Sequence, residues 1–318
     1  MARVAIMLLL VWCSTAWAAE YPVKSIRMLL PYAPGGAIDI LGRILAQPLS
    51  EALGQNVLPD NRGGANGIVA SELAAKAPPD GYTIYFASVG QISINPAAYR
   101  KLPYDPFTDF APVILHSGIA SLLLVNPSLP VGNVAQLIAY VKARPGGVSY
   151  ATPGAASTNH LSTELFARMA GITLIHVPYK GSGPALLDVI GGQVPLMFDQ
   201  ITSSLAHVKS GKLRALAVST AKRSALLPDL PAIAESGIPG FDTSSWNGIL
   251  VPAGTPPAII ARLNALVTEF HARSAFREKL LAVGAEPIGG SPEQFTAHAK
   301  AELARWSKIL QESGTRLD

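Results

Sequence analysis

Cysteine is almost missing from this 318-residue chain, and the one present, Cys13, falls in a segment that reads as a leader. Arg3, the apolar run over residues 4–11 and the small-x-small site Ala16-Trp17-Ala18 describe a secretory signal peptide over residues 1–19, cut after Ala18 or Ala19. Trp12 ahead of Cys13 argues against a lipoprotein. With the leader gone no thiol remains, which excludes thiol catalysis, cysteine-ligated zinc and iron–sulfur clusters. A chain of this length buries most of its apolar surface without disulfides. Charge is also scarce, at 14% of residues, with 25 Lys and Arg against 21 Asp and Glu and no basic run, so nothing points to nucleic acid. Hydrophobic residues make up 49%, yet no stretch after the leader approaches the roughly 18 uninterrupted apolar residues of a membrane span. Six scattered histidines suggest no metal site, and no fingerprint for a cofactor is present. These absences leave an exported, well-cored protein of one or two domains.

What is there is a repeated strand, glycine loop and helix. Residues 25–49 open it: an apolar run of strand length, the break Pro34-Gly35-Gly36, then Ile38, Leu41 and Leu45 at helical spacing. Such a loop directs unpaired main-chain N–H groups and a positive helix end beyond the strand, which suits an anion. A second short strand begins at Gly54-Gln55-Asn56-Val57, followed by the turn NRGGANG (61–67), a helix over 68–77 and the strand YTIYFAS (82–88). Residues 95–112, crowded with proline and aromatics, predict a packed irregular connection. The strand SLLLVNP (121–127) makes a first crossing into a second lobe.

There the pattern recurs. Asn133 caps a helix, VSYAT leads through PGAAST into a helix over 159–170, LIHVPY (174–179) leads through KGSGP into a helix over 185–190, and VPLMFD (194–199) and LRALAVS (213–219) are strands. WNGILVPAG (246–254) makes the return crossing. Thr255-Pro256 predicts the next helix start, and Ser291, Pro292 and Gln294 form a capping box for a last helix striped by Phe295, Ala299, Leu303, Trp306 and Leu310. The prediction is an α/β fold of two lobes, each a mixed, mainly parallel sheet flanked by helices: 20–121 with 250–318, and 122–249.

Each candidate site residue has a structural alternative. Pro34, Gly35 and Gly36 make either an ordinary turn or one wall of an anion site, and Asp39 either contacts a ligand or pairs with Arg43 four residues on. Ser157 and Thr158 present hydroxyls and amides at a helix start, whether as cap, as carboxylate donors or as both. A Ser157–His160 hydrolase lacks the G-x-S-x-G context and places its histidine badly. His160 and Glu164 are a hydrogen-bonded pair more readily than a metal site. Tyr179, Lys180 and Gly181 could add a hydroxyl, a charge and amides to the same cleft. Asp199, ending a strand, either caps a helix or meets an ammonium or hydroxyl.

In order along the chain, YPxKxIRxxxPYxPGGxxD, NRxGAxG, APPDGYT, PGxxSxxHLxxELF, HVPYKGxGPALxDxxGGQV, MFDQ, SGKLRALAVST, LPDLPxxAESGxPGF and PAGTPP together resemble the Bug (TctC-type) extracytoplasmic solute receptors of tripartite tricarboxylate transporters. The resemblance implies a periplasmic, monomeric, non-enzymatic protein that closes like a Venus flytrap on a small organic carboxylate, without a cofactor, and delivers it to a two-subunit membrane permease; a receptor serving a two-component sensor is the alternative. It implies ligand contacts at Pro34, Gly35, Gly36, Asp39, Ser88, Gly154, Ser157, Thr158, Tyr179, Lys180 and Gly181, with Asp199 a further candidate, one carboxylate held through water on the PGG loop and the other at the serine loop. Three positions depart from the family's usual residues: Ala156 for glycine, Gly63 for proline and Gly42 for alanine.

Overall fold

Alternation along the strands decides the layering. Strand β1 (Ile26–Leu30) sends Ile26, Met28 and Leu30 into one apolar cluster and Leu29 into another, so both faces are covered. The structure, a computed structural model, describes residues 21–313; the leader read at 1–19 lies outside them. Helix α1 (Ala37–Leu53) follows and ends on Gly54, whose left-handed φ of 67° closes it. Then come β2 (Val57–Asn61), α2 (Ile68–Ala75) and β3 (Thr83–Ser88), with β1 parallel to both strands.

After a π-helical turn (Gly90–Ile94) and the short α3 (Asn95–Ala98), β4 runs from Phe110 to Val125, sixteen residues. Its first part overturns the irregular connection expected up to residue 112. Pro112 lies where the register against the neighbouring strand slips, and a bulge is where a strand tolerates the missing N–H.

The second half builds α4 (Val134–Lys142), capped by Asn133, then β5 (Ser149–Thr152), α5 (Thr158–Ala170), β6 (Ile175–Pro178), α6 (Ser182–Ile190), β7 (Leu196–Gln200), α7 (Ile201–Lys209) and β8 (Arg214–Val218). Helix α6 starts three residues earlier than the sequence suggested, because Pro184 sits in its first turn, where proline does no harm. Strand β9 (Ser244–Pro252) returns, followed by α8 (Pro257–Ala272), α9 (Ser274–Ala282), β10 (Ala285–Gly289) and α10 (Pro292–Ser313). Helix α8 is capped at Pro256 with Pro257 first in the helix, one residue later than expected, and Thr255 instead donates its hydroxyl to the Pro252 carbonyl. The capping box of α10 is reciprocal: the Ser291 amide donates to Gln294 Oε1 at 2.8 Å, and the Gln294 amide to Ser291 Oγ at 3.3 Å.

The strands pair in the order β2-β1-β3-β9-β4-β7-β5-β6, with β8 and β10 also on β4. Residues 110–120 of β4 pair with β9, and residues 121–125 pair with β7 and β8. We propose that the lobes divide where these partners change, at 120/121 and ahead of Ser244, because all of β9 pairs with β3 and the first part of β4. One buried serine ties the two crossings. Ser219 Oγ accepts from the Ser121 amide at 3.0 Å and donates to the Thr243 carbonyl at 2.7 Å, while its main chain bonds Ser121 O and Thr243 N.

Ser219→Ala strands the buried Ser121 amide. Urea unfolding should show a loss of about 1–3 kcal/mol, and a variant as stable as the parent would mean the tie is redundant.

Candidate functional site

Four helices, α1, α5, α6 and α7, begin directly beyond the strands β1, β5, β6 and β7, and their first turns face a narrow cavity of about 20 Å³ between the two halves of the chain. It is lined by Gly36, Ala37 and Ile38 at the start of α1, by Thr158 and Asn159 at the start of α5, and by Ser182 and Gln200 at the starts of α6 and α7. Tyr32, Ser88, Ile119, Pro153, Ser245 and Asn247 complete the wall. No residue of this lining carries a charge.

The loop that begins α1 is shaped by Asp39. Its carboxylate takes the Gly35 amide at 3.0 Å and the Arg43 guanidinium at 2.9 Å, which fixes Gly35 in its left-handed φ of 88°. No side chain caps α1 at Gly36, so the amides that follow are left to the cavity. In the other half, Ser157 caps α5 by accepting the His160 amide at 3.1 Å, and its own amide donates to Gly154 O. The histidine ring faces elsewhere: Nδ1 accepts the Ala156 amide at 3.2 Å. Ring and serine hydroxyl therefore do not form a nucleophile–base pair. Ala156 itself has φ of 59°, a strained value for alanine, which accounts for the glycine usual at this position.

Behind this loop His160 stacks on His176, ring centroids 4.0 Å apart, and Tyr150 lies against both rings, at 5.1 Å from His176 and 6.3 Å from His160. His176 Nε2 meets Thr152 Oγ1 at 2.6 Å, and Tyr150 donates to Glu164. The expected His160–Glu164 hydrogen bond is a looser 4.0 Å approach. Burial lowers His160 to a pKa of about 3, helped by neighbouring His176, and burial lowers His176 to about 4.

Of the twelve residues picked out from sequence, Gly36, Ser88 and Thr158 line the cavity, and the other nine are not in its lining. The Tyr179 hydroxyl goes to Asp188 at 2.5 Å, and Lys180 contributes its carbonyl, which accepts the Ala33 amide at 3.0 Å across the two halves. There the PGG and KGSG loops meet main chain to main chain. A Cβ on Gly183 would lie 2.2 Å from Pro34 O, and one on Gly63 would lie 2.8 Å from Lys180 O, so the proline usual at position 63 is not accommodated. Asp199 is fully buried, and its oxygens are met by Ser182 Oγ at 2.6 Å, Ser203 Oγ at 2.5 Å and, more loosely, Asn159 Nδ2 at 3.4 Å. Burial raises its pKa to about 6 against those hydrogen bonds. Among the described residues no three His, Cys, Asp or Glu gather as a metal site.

Sequence reasoning missed Asn247, Ser245 and Gln200. Asn247 is buried with an unpartnered Nδ2, and it faces the cavity two residues from Ser245 on β9. The available signal was an asparagine inside an otherwise apolar strand, which must find a partner somewhere.

The family pattern described as "Tripartite tricarboxylate transporter family receptor" matches residues 41–315. Protein BugT of Bordetella pertussis is 37% identical over 301 residues, covering 94% of this chain and 92% of that one. Among solved structures, R. palustris Rpa4515 with adipate superposes with a TM-score of 0.91 at 43% identity, covering 92% of this chain and 98% of that one. MatC from Rhodopseudomonas palustris with bound malate does so at 0.87 and 31%, covering 91% and 100%.

Because the folded pKa values of His160 and His176 lie below 6.5, the unfolded chain takes up protons first as pH falls. Their contribution is complete above about pH 6.5 and is lost progressively toward pH 4. Melting temperature should therefore fall more steeply over that range in the parent than in His160→Gln/His176→Gln; equal slopes would show that the stack does not stay neutral.

Proposed function

The chain belongs to the tripartite tricarboxylate transporter receptor family, and from that premise we propose that it is a periplasmic solute receptor that closes on a small dicarboxylate and delivers it to a two-subunit membrane permease. The observation that carries this reading is the composition of the cavity: helix N-termini, hydroxyls and an unpartnered buried asparagine amide, with no charged side chain. Such a wall has donors to offer and favours an anion. Adipate and malate in the two R. palustris proteins support a ligand with a carboxylate at each end. No described helix is long and apolar enough to cross a membrane.

The energetics are adequate. A helix N-terminus favours an anion by ~0.3–2 kcal/mol, and hydrogen bonds to charged groups contribute ~1.5–3 kcal/mol each. Several of each, less the cost of closure, reach the ~8 kcal/mol of a micromolar complex. One ligand carboxylate belongs at Ala37 and Ile38 and the other near Thr158. The hydrogen bond between Ala33 and Lys180 then belongs to the closed form, which the ligand stabilises by touching both lobes.

Calorimetry over succinate, malate, adipate and longer dicarboxylates should give saturable binding of at least one at roughly micromolar affinity; binding of neutral sugars or cations alone would overturn the reading. Gly183→Ala tests closure separately. Its methyl collides with Pro34 O only when the loops meet, so affinity should drop about tenfold or more while the ligand-free melting temperature stays level or rises with helix propensity. Undiminished affinity would mean that the loops need not meet.

A further inference from the structure

A cavity suited to a dianion is expected to place cations in its wall. This one has none, and it has a buried carboxylate directly behind it. Asp199 lies at the carboxyl end of β7, and its partners Ser182 and Asn159, with adjacent Gln200, form part of the cavity lining. Carboxylate and bound anion would thus draw on the same positive helix ends, with only one layer of side chains between them.

The charged and titratable groups around Asp199 do not neutralise it. Helix α5 carries His160, Glu164 and Arg168; β5 carries Tyr150; α6 carries Asp188 and is preceded by Tyr179 and Lys180; α7 carries His207 and Lys209 in its last turn; residues 121–125 of β4 carry none. None of them hydrogen-bonds the carboxylate, which is held by Ser182, Ser203, Asn159 and the Gln200 main chain. The hydroxyl geometry carries a second consequence. While Asp199 is ionised, Ser182 must spend its proton on it and can offer the cavity only lone pairs, which repel a ligand carboxylate. Once Asp199 is protonated it can donate to Ser182 Oγ, and the serine proton is released toward the ligand.

We propose that Asp199 is a specificity-determining positioning residue of this cleft, and that the receptor takes up a proton at Asp199 when it captures a dicarboxylate. The inference rests on the receptor reading above. It goes beyond it in assigning a charge balance: one negative charge is removed from behind the wall as the ligand brings two. Burial already raises the carboxyl to about 6, and a nearby anion pushes it further the same way. A ligand of higher charge should depend on this proton more than a monocarboxylate does.

The test is titration of the full receptor with adipate at about pH 7 in two buffers of different protonation enthalpy. The expected result is net uptake of a substantial fraction of a proton per adipate, with affinity falling by up to about tenfold per pH unit between about pH 6 and 8. Asp199→Asn should bind without uptake, with affinity nearly flat in pH and above the parent's at about pH 8. Should that variant not fold, Ser203→Ala serves instead: losing one hydrogen bond to the anion must shift the uptake to higher pH. Adipate binding with no proton uptake by the parent, or uptake that persists in Asp199→Asn, overturns the inference and leaves the receptor reading standing. Failure of adipate and every other dicarboxylate to bind at any pH overturns the receptor reading, and the inference with it.

Discussion

Gathering main-chain N–H groups around one cavity whose lining carries no charge is the constraint on which the rest of this structure depends. Main-chain N–H groups are weak donors singly and cannot be moved about like a lysine, so they must be brought together by the fold. Here the order strand, loop, helix achieves it. Four helices start where four strands end, and the strands of each half are aligned so that these ends face one cavity. Side-chain length does not enter, which is why the cavity can be lined by glycine, alanine and serine.

That choice dictates the character of the surfaces that meet. If the binding groups are main chain, the two loops carrying them must approach at main-chain distance, and every Cβ becomes an obstacle. Gly183 against Pro34 O and Gly63 against Lys180 O are the tightest points, and the Ala33–Lys180 hydrogen bond spans the same seam. At the opposite side, the crossing segments at β4 and just before β9 are joined through Ser219, which bonds Ser121 and Thr243.

The α/β grammar was legible because strands and helices differ in period and because glycine marked their junctions: Pro34-Gly35-Gly36, Ser157 as a cap and the Ser291–Gln294 box all stand where expected. Less legible was anything decided by pairing. The first part of β4 was hidden by Pro112, whose bulge exists only against β9, and α7, α9 and β10 gave no terminal signal strong enough to be read. The site divided similarly. Loops that bear glycine and serine announced themselves, whereas Asn247 and Ser245 reach the cavity only because β9 crosses behind it.

Few groups around the cavity have hydrogen-bonding capacity to spare, because most polar side chains there are already committed. Tyr32 donates to Asn66, Asn66 to Asn95, and Asn95 to Tyr104, which donates to the Gln91 carbonyl. Gln91 in turn donates to Tyr32 and accepts the Ser88 hydroxyl. This closed circuit, carried on the π-helical turn after β3, makes the first wall rigid and leaves Ser88 only a lone pair to offer. Asn159 donates to Phe198 O and accepts from Gln200, so it too is occupied. The groups with hydrogens still to give include the amides at the uncapped starts of α1, α6 and α7, the Thr158 and Ser245 hydroxyls and Asn247 Nδ2. The amides are common to any sequence that folds this way and can only fix a carboxylate in place. If this cavity is the binding site, discrimination among carboxylates of different length and substitution falls to these side chains together with Ser182, whose hydroxyl Asp199 controls, and two of them lie on the strand that crosses between the halves.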